Sequence, residues 1–246
     1  MQRVALVTGG GTGIGRATAL SLAAAGVAVV VTGRRAEPLA AVAEEADGQV
    51  LAVPGDMSVP EDAARVVRAA VDAFGGLHVV VNNAGAIRRI LRLHEVDVAR
   101  WDEQIAVNLR GPYLVLHAAL PELLRASGDR AIVNVSSTLA VKPAAGHAPY
   151  AAAKGALIAL TKTVAVEYAG DGIRCNVVLP AVVKTDLARV DRPDYDARES
   201  AMAAAYPVGR LGEPEDVART ILWLVSPEAG WITGTAVTVD GGFTAT

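Results

Sequence analysis

Seven short runs, RVALVTG, VAVVVTG, VLAVPGD, LHVVVNNAG, RAIVNVSS, IRCNVVLP and TAVTVDGG, recur along the chain with Ala/Leu-rich stretches between them. A strand wetted on one face alternates apolar and polar residues. Most of these runs are nearly continuous in apolar residues, which marks strands of a parallel sheet covered on both faces. Intervening stretches such as GRATALSLAAAG and PEDAARVVRAAVDAFG read as helices. Ser58 followed by Glu61 reads as a capping box opening the second of these. EPEDVARTILWLV has Pro214 near its start and acids in its first turn, another helix-start signature. The alternation implies right-handed βαβ crossovers and an α/β fold: a doubly wound parallel sheet with helices on both faces. No linker, repeat or low-complexity tract interrupts it, so residues 1–246 read as one domain. The least regular segment, 184–207, reads as a mobile substrate flap.

Composition narrows the class. Of 246 residues, 52% are apolar and 20% charged, which excludes a disordered chain. A net charge of −3 without a basic tract gives no reason to expect a nucleic-acid partner. No apolar stretch is long enough to span a bilayer, so no membrane partner is expected. MQRVALVTGG runs straight into a strand-like stretch rather than a signal core. The single cysteine, Cys175, has no internal disulfide partner and fits a reducing compartment, and a cytoplasmic location is expected. The four histidines are scattered, and no metal site is expected.

In a doubly wound sheet, ligands bind beyond the carboxyl ends of the strands. TGGGTGIG joins the first strand to the first helix at such an end. Gly9, Gly13 and Gly15, with Thr12 and Ile14 between them, allow a tight turn and close backbone approach to a pyrophosphate. The helix N-terminus adds unpaired N–H groups. The spacing differs from G-x-G-x-x-G and lacks the Lys-Ser/Thr of a P-loop.

The second strand ends in Gly33, Arg34 and Arg35 where an NAD-preferring site carries an acid for the ribose hydroxyl. Two guanidiniums suit a 2′-phosphate, so NADP(H) is favoured, with NAD(H) the alternative. Asp56 and Met57 stand at the third strand end. The Asp56 carboxylate suits an adenine amino group or a helix cap, a role for which Ser58 competes. Asn82 and Asn83 end the fourth strand and need hydrogen bonds to neighbouring backbone. Ala84 and Gly85 let a cofactor lie close.

Tyr150 and Lys154 stand four residues apart in PYAAAKGAL, on one helical face, with small neighbours that leave room for something large. At this point the chain resembles the short-chain dehydrogenase/reductase family. The resemblance runs over essentially the whole sequence, through TGGGTGIG, NNAG, Asn108 in IAVNLRG, IVNVSS, YAAAK, LPAVVKTD and GTAVTVDGG. It implies a Rossmann-like fold and an oxidoreductase that moves a hydride between a nicotinamide cofactor and a ketone, aldehyde or secondary alcohol.

The resemblance also implies residue roles. Tyr150 exchanges a proton with the substrate oxygen. Lys154 lowers the phenol pKa through its charge and binds the nicotinamide ribose. Ser137, thirteen positions before Tyr150, holds the oxygen; Ser136 alternates to the other face. Asn108 holds a water linking Lys154 to solvent. Val183 offers backbone groups to the carboxamide and Thr185 its hydroxyl to the carboxamide or a phosphate, while Ala181 replaces the glycine common in the family.

Substrate class is less legible. Ketoacyl-carrier-protein reductases often carry basic residues where this chain has Gly128 and Asp171; Arg125, Arg130 and Arg174 lie near but unaligned. Arg88 and Arg89 sit where family members acting on sugar acids can clamp a carboxylate, and His147 stands near the expected pocket. A non-enzymatic cofactor-sensing protein is disfavoured because Asn108, Ser137, Tyr150 and Lys154 are all present. The apolar tail, with Trp223 and Trp231, together with the resemblance implies a homotetramer, or a homodimer.

Overall fold

The computed structural model describes residues 2–88, 91–190 and 195–246, apart from the side chains of Asp196 and Arg198. All seven expected strands form: β1 Val4–Thr8, β2 Ala28–Gly33, β3 Val50–Pro54, β4 Val79–Asn82, β5 Arg130–Val135, β6 Ile173–Pro180 and β7 Ala236–Val239. They pair in parallel in the order β3-β2-β1-β4-β5-β6-β7. The order reverses between β1 and β4, and a crevice opens there at the carboxyl edge.

The helices are α1 Gly13–Ala24, α2 Ala36–Glu45, α3 Pro60–Phe74, α4 Val98–Ile105, α5 Gly111–Arg125, α6 Ala148–Tyr168, α7 Asp186–Arg189, α8 Tyr195–Ala203 and α9 Pro214–Val225. On one face, Ala5, Val7, Val29 and Val31 pack with Leu22 of α1, Val42 of α2 and Ile221 of α9. On the other, Val4, Leu6, Val30 and Ile132 meet Val66 of α3, Leu116 of α5 and Val164 of α6. Successive strand residues thus feed opposite cores, so the strand sequences show little polar alternation.

The helix starts divide. Pro214 opens α9, and the Asp216 carboxylate accepts from the Glu213 amide at 2.9 Å. The Ser58–Glu61 box does not form. Val59 is the N-cap of α3 and contributes no side-chain bond. The Ser58 amide and hydroxyl instead donate to Asp56 Oδ1 at 2.9 and 2.7 Å, and Asp62 accepts from the Asp56 amide at 2.8 Å. An Asp two residues away makes a tighter ring than a box spanning the proline at N1, whose missing N–H removes one donor to be capped. Segment 184–207 carries α7 and α8, and Tyr195, Tyr206 and Leu211 form a small core of their own.

Two features carry α6 to the crevice. Asn134 donates to Thr161 Oγ1 at 2.8 Å, and the Ser136 hydroxyl donates to the Lys154 carbonyl at 2.8 Å. Between α4 and α5, Ala106–Arg110 widens into a π turn, with the Gly111 amide donating to the Ala106 carbonyl. Such a turn is a common local device at functional sites.

Candidate active site

Two clefts meet above the carboxyl edge and share Ile14, Asn83, Gly85, Thr185 and Leu187. The longer, about 540 Å³, runs past Gly9, Thr12, Gly13, Arg34, Arg35, Asp56, Met57 and Ala84. The other, about 300 Å³, contains Ser137, Tyr150, Lys154 and Val183. The residues expected to bind cofactor therefore line a single trough, with one exception.

The exception is Gly15, which lines neither cleft. A Cβ there would stand 2.2 Å from the Gly9 carbonyl oxygen and 2.5 Å from Asn83 Nδ2. Its glycine lets α1 approach the β1 turn and makes no cleft contact. Gly13 has φ +53, and a Cβ there would lie 2.8 Å from the Thr185 methyl, so this position also excludes a side chain.

The asparagines of β4 differ in partner. Asn83 Nδ2 donates to the Thr8 and Gly9 carbonyls at 2.9 and 3.2 Å, tying the glycine turn to the switch point. Asn82 bonds a side chain rather than backbone: its Nδ2 donates to Asn134 Oδ1 at 2.9 Å. Arg34 and Arg35 are exposed, and among the described residues neither is ion-paired. Asp56 lines the trough with Oδ1 already bonded to Ser58.

Tyr150, Ser137, Lys154 and Asn108 are all buried. The Ser137 hydroxyl accepts from the Leu139 amide at 3.2 Å, and Ser137 and Tyr150 line the same cleft. Ser136 turns away to the Lys154 carbonyl, so the alternation along the strand selects Ser137. Lys154 Nζ donates to the Val135 carbonyl at 2.8 Å and lies 5.7 Å from the Tyr150 ring centroid. That leaves two ammonium protons for further acceptors. The Asn108 side chain is committed: Oδ1 accepts from the Ala86 amide at 3.1 Å, and Nδ2 donates to the Ala86 and Gln104 carbonyls at 2.8 and 3.0 Å. It fixes the loop after β4, and Oδ1 keeps one lone pair for a further donor.

The electrostatics differ from expectation. Burial pushes the Tyr150 phenol up to about 12, against an opposing hydrogen bond from Ser137. Burial also lowers Lys154 to about 8. Among the protein's own groups, desolvation outweighs attraction between phenolate and ammonium, because neither charge keeps its water. The resting pair is a neutral phenol, a proton donor, beside a lysine that loses its charge easily.

Arg88 lines the second cleft and is ion-paired with Glu103, its Nε 3.1 Å from Oε1. The pair is solvent-exposed, so Glu103 competes for this guanidinium with any substrate carboxylate. Arg89 lies outside the described residues. His147 is buried in the cleft wall, with Nδ1 3.0 Å from the Ala145 carbonyl. Ala181 does not have positive φ, so replacing the family's glycine strains nothing there. Leu139, Val182, Tyr206 and Phe243 complete the apolar wall. None was legible beforehand; the only signal for Phe243 was a lone aromatic after two glycines near the end of the sequence.

Residues 9–244 match the family model described as enoyl-(acyl carrier protein) reductase. The chain belongs to the short-chain dehydrogenase/reductase family. It is an oxidoreductase of that family, NAD(P)-dependent and acting on CH–OH or C=O groups. It is 38% identical to cyclohexanol dehydrogenase of Acinetobacter sp. (strain SE19), over 99% of this chain and 96% of that protein. It is 41% identical to cis-4-hydroxycyclohexanecarboxylate dehydrogenase of Sinomonas cyclohexanicum, over 99% of this chain and 97% of that one. The crystal structure of 3-ketoacyl-(acyl-carrier-protein) reductase from Brucella melitensis complexed with NADH superposes with a TM-score of 0.93 at 34% identity, covering 98% of each chain. Among the described residues no helix is long and apolar enough to cross a membrane.

Proposed function

We propose that this chain is an NADP(H)-preferring, cytoplasmic oxidoreductase that interconverts a compact, uncharged ketone and its secondary alcohol, with Tyr150 as the acid/base. The observation that carries the reading is that Ser137, Tyr150 and Lys154 line one buried cleft that meets a trough presenting two exposed arginines, Arg34 and Arg35.

A bound nicotinamide dinucleotide would supply the hydride in reduction or accept it in oxidation. The chain's own residues do the rest. Arg34 and Arg35 hold the 2′-phosphate. Lys154 holds the ribose, while Val183 and Thr185 face the carboxamide. In reduction the carbonyl carbon gains the hydride and its oxygen takes the Tyr150 proton, with Ser137 donating a hydrogen bond to the charge that develops. Asn108 keeps the loop after β4 in place beside Lys154. A phenol held neutral by burial suits this direction, and so does NADPH. The segment 184–207 serves as the substrate flap of a single domain.

Three structural facts support a substrate class. Arg125 is ion-paired with Glu122, while Arg130 and Arg174 donate to backbone carbonyls of Leu123, Ala126, Asp171, Leu224 and Ser226. They are spent on the fold, which argues against carrier-protein docking and hence a 3-oxoacyl-carrier-protein reductase. Arg88 is ion-paired with Glu103, which argues against a sugar-acid dehydrogenase. The remaining wall is mostly apolar, which suits an alicyclic alcohol of the kind named for the Acinetobacter relative. Exposed Trp231, Val166 and Trp223 support a homotetramer.

The test is turnover with NADPH and NADH against cyclohexanone, an acetoacetylated carrier protein and a keto sugar acid. NADPH oxidation with cyclohexanone is expected, and Tyr150→Phe abolishes it while still binding NADPH. Undiminished turnover in Tyr150→Phe overturns the assignment.

A further inference from the structure

One lysine outside the reacting centre holds a wall of the catalytic cleft. The C-terminal turn Phe243–Ala245 follows β7 and is braced internally by Asp240, whose Oδ2 accepts from the Thr244 amide at 2.9 Å and Oδ1 from the Gly242 amide at 3.0 Å. The Phe243 ring lines the cleft that contains Ser137 and Tyr150. It packs on the Tyr206 ring at 5.3 Å, and the Tyr206 hydroxyl accepts from the Val182 amide at 3.2 Å. Phe243 thus joins the small core under the 184–207 segment.

Lys142 reaches this turn from the loop after Ser137. Its Nζ donates to the Phe243 and Thr246 carbonyls, each at 2.8 Å, and sits 4.5 Å from the Phe243 ring centroid. One half-buried ammonium therefore fixes backbone and ring together. No other lysine or arginine among the described residues makes such a contact with the turn.

The geometry points to Phe243 as a specificity-determining residue and Lys142 as its positioning residue: together they limit how far a substrate extends beyond the carbonyl held by Ser137 and Tyr150. This rests on the ketone reading above. A ketone whose oxygen bonds the two hydroxyls meets an apolar wall that includes the Phe243 ring, so a compact ring is accepted and a bulky substituent on its far carbon collides. The wall is set by a contact between residues 101 apart in sequence, joining the loop after β5 to the turn after β7.

The test compares cyclohexanone with a cyclohexanone carrying a phenyl group on the far ring carbon, both with NADPH, in wild type, Phe243→Ala, Lys142→Met and Lys142→Arg. Phe243→Ala is expected to raise kcat/KM for the phenyl ketone relative to cyclohexanone by about tenfold or more. Lys142→Met shifts the ratio the same way by a smaller factor, chiefly through KM. Lys142→Arg, which keeps a cation and donors for both carbonyls, restores the wild-type ratio. The KM for NADPH does not move. A ratio in Phe243→Ala within about twofold of wild type overturns the proposal.

Hydrogen exchange supplies a readout independent of turnover. Amides 242–246 should exchange about tenfold faster in Lys142→Met, and unchanged exchange overturns the clamp. If the wild type reduces neither ketone, the ketone reading fails and the exchange result alone judges the clamp.

Discussion

At the scale of single residues, burial sets the chemistry. Lys154 titrates near 8 in the folded chain against an ordinary 10.5. Between those values the unfolded chain binds more protons, so the lysine's contribution to stability rises with pH; below pH 8 both states are protonated and the penalty is fully present. Tyr150 acts oppositely, but only above its ordinary pH of 10. The clean window is therefore pH 8 to 10. There the Tm of wild type should gain about 5 °C relative to Lys154→Met, as followed by calorimetry at stepped pH. Parallel curves would show that the ammonium is not desolvated. Arg34 is the second residue-scale case. Arg34→Ser should raise the KM for NADPH by about 10- to 100-fold and leave that for NADH nearly unchanged, because only the phosphate contact is lost. Steady-state kinetics with both cofactors decides it.

At the scale of elements, the two edges of the sheet do different work. The carboxyl edge binds; the amino edge locks. Asp129 pairs with Arg3 at 3.0 Å and Arg174 at 3.2 Å, and those arginines also hold the Val225, Leu224 and Ser226 carbonyls at the end of α9. Asp129→Asn leaves two crowded guanidiniums without their counter-charge. It should cost about 2 kcal/mol in urea unfolding while KM values stay constant. A matching rise in KM would mean that the amino edge also serves the site. The β1–α1 junction gives the converse case. Gly15→Ala drives a methyl into the Gly9 carbonyl. The variant should lose about 2 kcal/mol or more and bind NADPH poorly, as read by thermal melting with and without cofactor.

Much of this level was legible because its signals are local. The seven strands and the α9 start follow from runs of a few residues and a proline, and the structure places them as expected. The Ser58–Glu61 box failed on equally local grounds, since it ignored a nearer acid, Asp56, and the donor missing at Pro60.

At the scale of the molecule, the outer faces of α5 and α6 and the tail after α9 leave Tyr113, Val166 and Trp231 exposed. The proposed homotetramer would bury such surface. Light scattering should report four chains, and Val166→Glu or Trp231→Glu should reduce that number with little change in secondary structure. A wild-type monomer at micromolar concentration would refute this assembly.

The sequence alone determined the order of strands and helices and marked Ser137, Tyr150 and Lys154 as candidate site residues, because those signals are local. Only the tertiary structure decided the rest. It set Glu103 beside Arg88; it brought Tyr206 and Phe243 into one cleft wall with Lys142 braced against Phe243; and burial raised the Tyr150 phenol. Pairing, packing and desolvation depend on what lies within a few ångströms in space, and residues distant in sequence supply those neighbours.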